Sequence, residues 1–123
     1  MKIVKGTICS RGLGDMSRRM RQYPDVFKRA TGERLIEGTI NVDVGEEIKI
    51  KEDFRIRGIE INEPDQDLLF ERCQINGVRA YRIRPLAAMG QGGWGDQIIE
   101  ITCSEEISPN YPGTEVDIAF FRD

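Results

Sequence analysis

Thr39 and Asn41 are the residues of this sequence best suited to chemistry, because they place a hydroxyl and a carboxamide two positions apart. They belong to the run Gly38-Thr39-Ile40-Asn41-Val42, whose β-branched residues favour a strand. Successive side chains point to opposite faces of a strand, so Thr39 and Asn41 are predicted to share one face. Two neutral oxygen donors side by side suit a hard cation such as Mg²⁺ that also binds substrate phosphates. The alternative is an ordinary solvated strand face.

A glycine-rich turn supplies a second candidate site. The run Gly12-Leu13-Gly14-Asp15 lies between a predicted strand and a predicted helix. Backbone N–H groups in such a turn, together with a helix N-terminus, can bind an anion, and Arg18 or Arg19 could add positive charge. The run lacks the Gly-Lys-Ser/Thr ending of a Walker P-loop and is not the longer dinucleotide fingerprint. A tight strand-to-helix turn without a ligand remains the alternative.

Glu100 is the candidate proton acceptor. It stands between Ile99 and Ile101, so its carboxylate could be half-desolvated, with a pKa raised towards a value useful for accepting a hydroxyl proton. The alternative is a glutamate on the wet face of an edge strand. Trp94, in a second glycine-rich stretch, could stack on a planar ring or cap the core.

Histidine is absent from the sequence, which excludes Ser-His-Asp and Cys-His catalysis and imidazole metal sites. Cys9, Cys73 and Cys103 are odd in number and contain no Cys-x-x-Cys pair, so neither a disulfide framework nor a zinc site is indicated. We therefore expect a protein of the reducing cytoplasm whose chemistry depends on carboxylates, lysines, backbone amides and a hard metal.

Length and charge predict one soluble domain over residues 1–123. A chain of 123 residues can bury roughly two-thirds of its unfolded surface in a single core. The net charge of −3 argues against a general nucleic-acid binder, and no signal peptide or long apolar run points to a membrane. Basic residues are concentrated in the first quarter, where they could form an anion funnel or a solvated helix face: Arg11, Arg18, Arg19, Arg21, Lys28 and Arg29.

Hydrophobic spacing predicts a mainly β fold. Residues 2–9 form a strand, and residues 17–31 form one amphipathic helix or two short ones, depending on Pro24, with Gly32 as the C-terminal stop. Asn76-Gly77 predicts a type I′ hairpin turn. The remaining predicted strands cover residues 36–44, 48–50, 54–57 (with alternation continuing towards Ile59 and Ile61), 69–75, 78–83, 98–102 and 116–120. Many short strands with one helical insertion after the first strand indicate a compact β-barrel of six to eight strands.

These residues resemble a known family. The run Tyr23-x3-Phe27-Lys28-x3-Gly32-x5-Gly38-Thr39-Ile40-Asn41, preceded by Gly12-Leu13-Gly14-Asp15, looks like the archaeal-type CTP-dependent riboflavin kinases, whose fold is a cradle-loop β-barrel. The segments 96–101 and 112–118 are similar to that family's late strand and its closing turn and strand. The resemblance spans nearly the whole chain in order.

The resemblance implies a reaction and its site residues. The implied reaction transfers the γ-phosphate of CTP to the ribityl 5′-hydroxyl of riboflavin, giving FMN and CDP. Thr39 and Asn41 would bind Mg²⁺, and Glu100 would contact the flavin. The residues that would bind the nucleotide are Gly12, Leu13, Gly14, Asp15 and Arg18. The oligomeric state is left open.

The sequence also departs from the family pattern. Met16 replaces a third glycine and could crowd the phosphates, and Gly92 aligns near a threonine that contacts the flavin. Ser104-Glu105-Glu106-Ile107 replaces an apolar nucleotide-binding segment, and its two acids would repel a triphosphate. A non-catalytic barrel module that binds a nucleotide, a flavin or a protein partner is therefore the second hypothesis. A third is that the basic helical insertion makes oligomer contacts.

Overall fold

The structure, a computed structural model, describes residues 1–12, 14–86 and 95–122, and within them seven antiparallel strands and two α-helices form. The strands are β1 (Lys2–Gly12), β2 (Thr39–Asp43), β3 (Phe54–Ile56), β4 (Leu68–Ile75), β5 (Val78–Pro85), β6 (Ile98–Cys103) and β7 (Glu115–Phe120). The helices are α1 (Asp15–Gln22) and α2 (Pro24–Thr31), and a 3-10 helix covers Gly58–Ile61. Among the described residues, no helix is long and apolar enough to cross a lipid bilayer.

The strands close into a barrel. Their order is β3-β4-β5-β6-β2-β1-β7, and β4 also pairs with β7, so six strands form a closed antiparallel ring. One edge of β4 pairs first with β3, at residues 68–70, and then with β7, at residues 73–75. The predicted mainly β barrel with a helical insertion after the first strand is confirmed.

The barrel interior is apolar because alternate residues of each strand face inwards. Ile40 and Val42 of β2 are buried there, as are Ile99 and Ile101 of β6. Thr39 and Asn41 therefore take the opposite face of β2, as the alternation predicts. The rest of the interior is filled mainly by Ile8, Ile48, Cys73, Ile75, Ile107, Val116, Ile118 and Phe120.

A second apolar cluster lies outside the barrel, between the helices and the sheet. Met16 and Met20 of α1 and Phe27 of α2 pack here. The sheet contributes Ile56, Leu68, Phe70, Tyr81 and Ile83, with Ile61 of the 3-10 helix. The helices thus cover the outer face of β3, β4 and β5 and fix the start of α1 beside the barrel wall.

Local turn signals are confirmed. Pro24 begins α2, which separates the two helices, and Gly32 ends α2 with a φ of 79° and an N–H···O bond of 2.7 Å to Lys28. Asn76 and Gly77 both have positive φ, 50° and 79°, as a type I′ turn requires.

Two of the strand predictions are wrong. Residues 48–50 form no strand; the N–H of Ile48 bonds instead to the carbonyl of Asp96 at 3.0 Å, and the Ile48 side chain fills the barrel core. The strand alternation predicted to continue from residues 54–57 towards Ile59 and Ile61 does not continue. Residues 58–61 form the 3-10 helix instead, which buries Ile61 and leaves Ile59 75% exposed. In both cases a single apolar side chain packs in the core without a ladder of backbone pairing.

Candidate functional site

A band of polar side chains crosses the outer surface of β1, β2 and β6. Asn41 on β2 pairs with Ser10 of β1 on one side and with Glu100 of β6 on the other. Thr39 pairs with Gly12 and, if the register of Ile40 with Ile101 is continued by one residue, lies opposite Thr102. We call Ser10, Thr39, Asn41, Glu100 and Thr102 the polar face.

Hydrogen bonds orient the two predicted metal ligands. The Thr39 hydroxyl donates to Oε2 of Glu100 at 2.8 Å, and Nδ2 of Asn41 donates to Oγ of Ser10 at 2.9 Å. The Thr39 oxygen therefore keeps its lone pairs, and Oδ1 is the Asn41 atom left for a cation. Both residues are buried, at 4% and 9% exposure, so they are not part of a solvated strand face.

The approach to β2 explains why Thr39 sits at the edge of the polar face. Gly38 has a φ of 104°, a backbone conformation that side chains other than glycine rarely adopt, and it turns the chain into the strand. The preceding loop is tied to β6 by the N–H of Ile36, which bonds to the carbonyl of Cys103 at 2.9 Å. Glu33 adds an anchor by accepting hydrogen bonds from the Ser104 and Tyr81 hydroxyls.

Glu100 is half-buried, and burial raises the pKa of its carboxyl group. The hydrogen bond from Thr39 and the nearby charges of Arg19 and Arg84 act in the opposite direction and favour the carboxylate. The predicted half-desolvated glutamate is therefore confirmed. A carboxylate in this environment can accept a proton from a neighbouring hydroxyl.

The glycine-rich turn leads from the polar face into α1. Gly12 ends β1 opposite Thr39, and Gly14 precedes α1, its carbonyl accepting the Arg18 N–H at 3.1 Å. Gly14 has a φ of −95°, so the positive φ that glycine would permit is not used there. Leu13, predicted to bind nucleotide, lies outside the described residues. Asp15, at the first position of α1, is exposed.

Met16 does not extend over the turn. Its side chain is 4% exposed and belongs to the apolar cluster between helices and sheet. Packing therefore directs the Met16 side chain into this cluster, and its predicted effect on bound phosphates stays a prediction.

The predicted basic cluster is largely neutralised by nearby acids. Arg19 is bidentate with Glu63, with Nε–Oε2 at 2.9 Å and Nη2–Oε1 at 3.0 Å. Arg18 lies 3.7 Å from the same carboxylate and 3.8 Å from Asp15. Other pairs join Arg21 to Glu37 and Arg29 to Glu60. These intramolecular contacts fasten α1 and α2 to the barrel and weaken the prediction of an open anion funnel.

A small cleft opens beside Thr39, with a cavity volume of about 30 Å³. Thr39 and Thr102 line it together with Arg11. The other charged residues that line it are Glu37, Glu105 and Glu106. The acids predicted to repel a triphosphate therefore do border the cavity next to the polar face.

Sequence reasoning missed Ser10 and Thr102. Ser10 follows a β-bulge between Ile8 and Ser10, which moves it to the face of Asn41 instead of the face of Ile8. Thr102 is two residues beyond Glu100 on the same strand, so the alternation that singled out Glu100 could have found it.

A cation at the polar face would be held mainly by neutral oxygens. Within the described part of the chain, no three His, Cys, Asp or Glu side chains come together in a metal-binding group. Gly92 and Trp94, which the sequence linked to a flavin or planar ring, lie outside the described residues.

The sequence matches no protein-family model, and no curated protein sequence shows significant similarity to it.

Proposed function

We propose that this protein is a CTP-dependent riboflavin kinase, or a close relative that uses a different acceptor or nucleotide. The proposal combines the resemblance of the Gly12–Asp15 and Gly38–Asn41 segments to that family with the geometry of the polar face. The reaction would form a bond between the ribityl 5′-oxygen and the γ-phosphorus of CTP, break the bond to the β-phosphate oxygen, and release CDP.

The observation that carries the proposal is the hydrogen-bonded pair of Thr39 and Glu100, with Asn41 on the same face. Thr39 and Asn41 fit Mg²⁺, because their hydrogen bonds leave uncharged oxygen atoms for a hard cation. When bound, Mg²⁺ would neutralise charge on the phosphate oxygens.

Glu100 would take the proton of the acceptor hydroxyl as the new bond forms. It lies beside Thr39, so the acceptor hydroxyl and the phosphates would meet where both side chains can reach. The start of α1 at Asp15, two residues beyond Leu13, would direct its N–H groups at the nucleotide phosphates.

A direct assay tests this function. The protein is mixed with Mg²⁺, riboflavin and either CTP or ATP, and FMN is separated by chromatography. We expect FMN with CTP, and little FMN from the Glu100→Gln variant. If neither nucleotide yields FMN, riboflavin kinase activity is refuted.

The second candidate is a non-catalytic nucleotide- or flavin-binding module. It is favoured by the charge of the cleft, whose lining holds one base, Arg11, and three acids, Glu37, Glu105 and Glu106. Isothermal titration calorimetry separates the two functions, because a module would bind CTP or riboflavin without Mg²⁺-dependent turnover.

A further inference from the structure

Thr102 carries a buried hydroxyl that has no partner. The residue is 2% exposed, and within the described part of the chain its Oγ1 makes no hydrogen bond. Leaving a buried hydroxyl unpaired costs about 1–3 kcal/mol. Valine has nearly the same shape as threonine and would fill this position on β6 without that cost, so the hydroxyl is not explained by packing.

The position of Thr102 connects this hydroxyl to the cation site. Continuing the register of β2 and β6 places it opposite Thr39, and both residues line the cleft. Side chains opposite each other on adjacent antiparallel strands have Cβ atoms about 5 Å apart. The Thr39 hydroxyl proton is directed to Glu100, so Thr39 does not donate to Thr102, and the Thr102 hydroxyl is left able to bond to a group that enters the cleft.

We propose that the Thr102 hydroxyl contacts the nucleotide directly, by donating a hydrogen bond to an oxygen of the phosphate chain held at Thr39 and Asn41. This inference rests on the proposed function and adds a residue that the family resemblance does not assign. A phosphate oxygen fits because it is an anionic acceptor, and hydroxyl donors form short, strong bonds to such acceptors. Arg11 lines the same cleft and favours an anion there, whereas the acids that also line it, Glu37, Glu105 and Glu106, oppose one.

Threonine-to-valine exchange tests the contact, because it removes the hydroxyl and little else. Binding of CTP in the presence of Mg²⁺ is measured by calorimetry for the wild type and for Thr102→Val and Thr102→Ser. The matched control is Thr7→Val, at an exposed position of β1 that does not line this cleft. Thermal unfolding without ligand is measured for all four proteins.

We expect Thr102→Val to bind CTP about tenfold more weakly, which corresponds to about 1.4 kcal/mol. Thr102→Ser retains the hydroxyl and should bind within about threefold of the wild type, and Thr7→Val should bind like the wild type. Without ligand, Thr102→Val should unfold at the same temperature as the wild type or higher, since an unpaired buried hydroxyl has been removed.

Three outcomes would overturn the inference. Wild-type affinity in Thr102→Val shows that the hydroxyl does not touch the nucleotide, and the proposed function then survives. Equal weakening by Thr102→Val and Thr102→Ser shows that shape, not the hydroxyl, matters. A wild-type protein that binds no CTP refutes both this inference and the proposed CTP-dependent reaction.

Discussion

Thr39 contacts or lies opposite residues from both neighbouring strands of the polar face. It is bonded to Glu100, paired with Gly12 and placed beside Thr102, so a group bound at its oxygen is within reach of all three strands of the face. The other members of the polar face are uncharged apart from Glu100, which suits a cation that carries phosphates. The charged residues nearby line the cleft beside Thr39: Arg11, Glu37, Glu105 and Glu106.

Removing either neutral ligand should therefore affect turnover far more than folding. We expect Thr39→Val and Asn41→Ala each to slow FMN formation on the order of 100-fold, because each removes a fixed dipole at the charge that develops during transfer. Steady-state rates report the loss, and circular dichroism with thermal unfolding verifies the fold. Unchanged turnover in both variants would reject the assignment of these residues as metal ligands.

At this scale the sequence predicted that Thr39 and Asn41 share one face of β2 and singled out Glu100, but it did not reveal Ser10. A period of two along β2 is enough to place Thr39 and Asn41 together. Ser10 could not be placed in this way, because the same period would align it with Ile8 inside the barrel. The bulge between them reverses the face, and a bulge is set by pairing with another strand.

At the scale of elements, a half-buried ion pair from Arg19 helps to hold α1 in place. The Arg19 side chain is 6% exposed, and its bidentate partner Glu63 follows the 3-10 helix closely in sequence. The hydrogen bond from Arg19 holds the pKa of Glu63 below its usual value, although partial burial opposes this effect. Loss of this pair would leave an uncompensated guanidinium under α1.

Glu63→Gln should lower the free energy of unfolding by about 2 kcal/mol at pH 7. Because the pKa of Glu63 is depressed on folding, its contribution is complete above the ordinary glutamate pKa of 4.5 and is lost as the pH falls through the folded-state value. Urea unfolding at pH 7 and at successively lower pH measures the difference. The control Glu46→Gln breaks an exposed pair with Lys2 and should change stability by less than about 0.5 kcal/mol. Equal effects of the two substitutions would show that the Arg19 pair is not special.

The segment after β6 controls the charge of the cleft. Glu105 and Glu106 are exposed and line the cavity that Thr39 and Thr102 also border. Carboxylates at these positions would repel a triphosphate bound at the polar face, and salt would screen that repulsion.

Replacing both acids, in Glu105→Gln with Glu106→Gln, should tighten CTP binding about fivefold at low salt and less at high salt. Calorimetry at two salt concentrations measures the change. The control, Glu115→Gln with Asp117→Asn, removes two exposed acids of β7 that do not line this cleft and should have little effect. Unchanged affinity in the cleft variant would show that the acids do not face the phosphates.

Most elements could be predicted from local signals, and the errors have a common cause. Pro24, Gly32 and Asn76-Gly77 act through their own backbone preferences, so the two helices and the hairpin could be read directly. Residues 48–50 show strand-like alternation, yet they form no strand. The N–H of Ile48 bonds instead to the carbonyl of Asp96, which is distant in sequence. Such non-local pairing leaves no trace in a short sequence window.

At the scale of the whole molecule, apolar surfaces cover both faces of β4 and β5. The helices bury Tyr81 and Ile83 on the outside of β5, while Arg82, at an inward position, is 1% exposed. From the sequence of β5 alone, the charged Arg82 would be expected outside the barrel and the apolar Tyr81 and Ile83 inside it. The structure has the opposite arrangement. Which face of a strand meets the barrel interior is decided by packing of the whole chain and could not be predicted from β5 alone.

Glu71 and Arg82 bring buried charge into the barrel. They pair across β4 and β5, and burial raises the pKa of Glu71 and lowers the pKa of Arg82 to about 10. Glu71 accepts hydrogen bonds from the Lys51 N–H at 3.0 Å and from Nη2 of Arg122 at 2.8 Å. Among the described residues, Nη1 and Nη2 of Arg82 have no hydrogen-bond partner.

The two arginines should therefore differ in their effect on stability. Arg122→Met removes a hydrogen-bond donor from the buried Glu71 and should lower the free energy of unfolding by about 2 kcal/mol. Arg82→Met removes a desolvated charge whose Nη atoms make no hydrogen bond among the described residues but which lies 3.6 Å from Asp96. The lost ion pair and the relieved desolvation act in opposite directions, so the free energy of unfolding should change by less than about 1 kcal/mol. Urea unfolding of both variants measures the contrast. A larger loss in Arg82→Met than in Arg122→Met would contradict this account of the barrel interior.

The most direct test of the central claim is a crystal structure of the protein with CTP and Mn²⁺, which replaces Mg²⁺ and can be located by its anomalous scattering. We predict an anomalous peak within about 2.5 Å of both Thr39 Oγ1 and Asn41 Oδ1, with the phosphates of CTP on its other side. A peak bound elsewhere, or CTP bound with no metal at these two oxygens, would contradict the account.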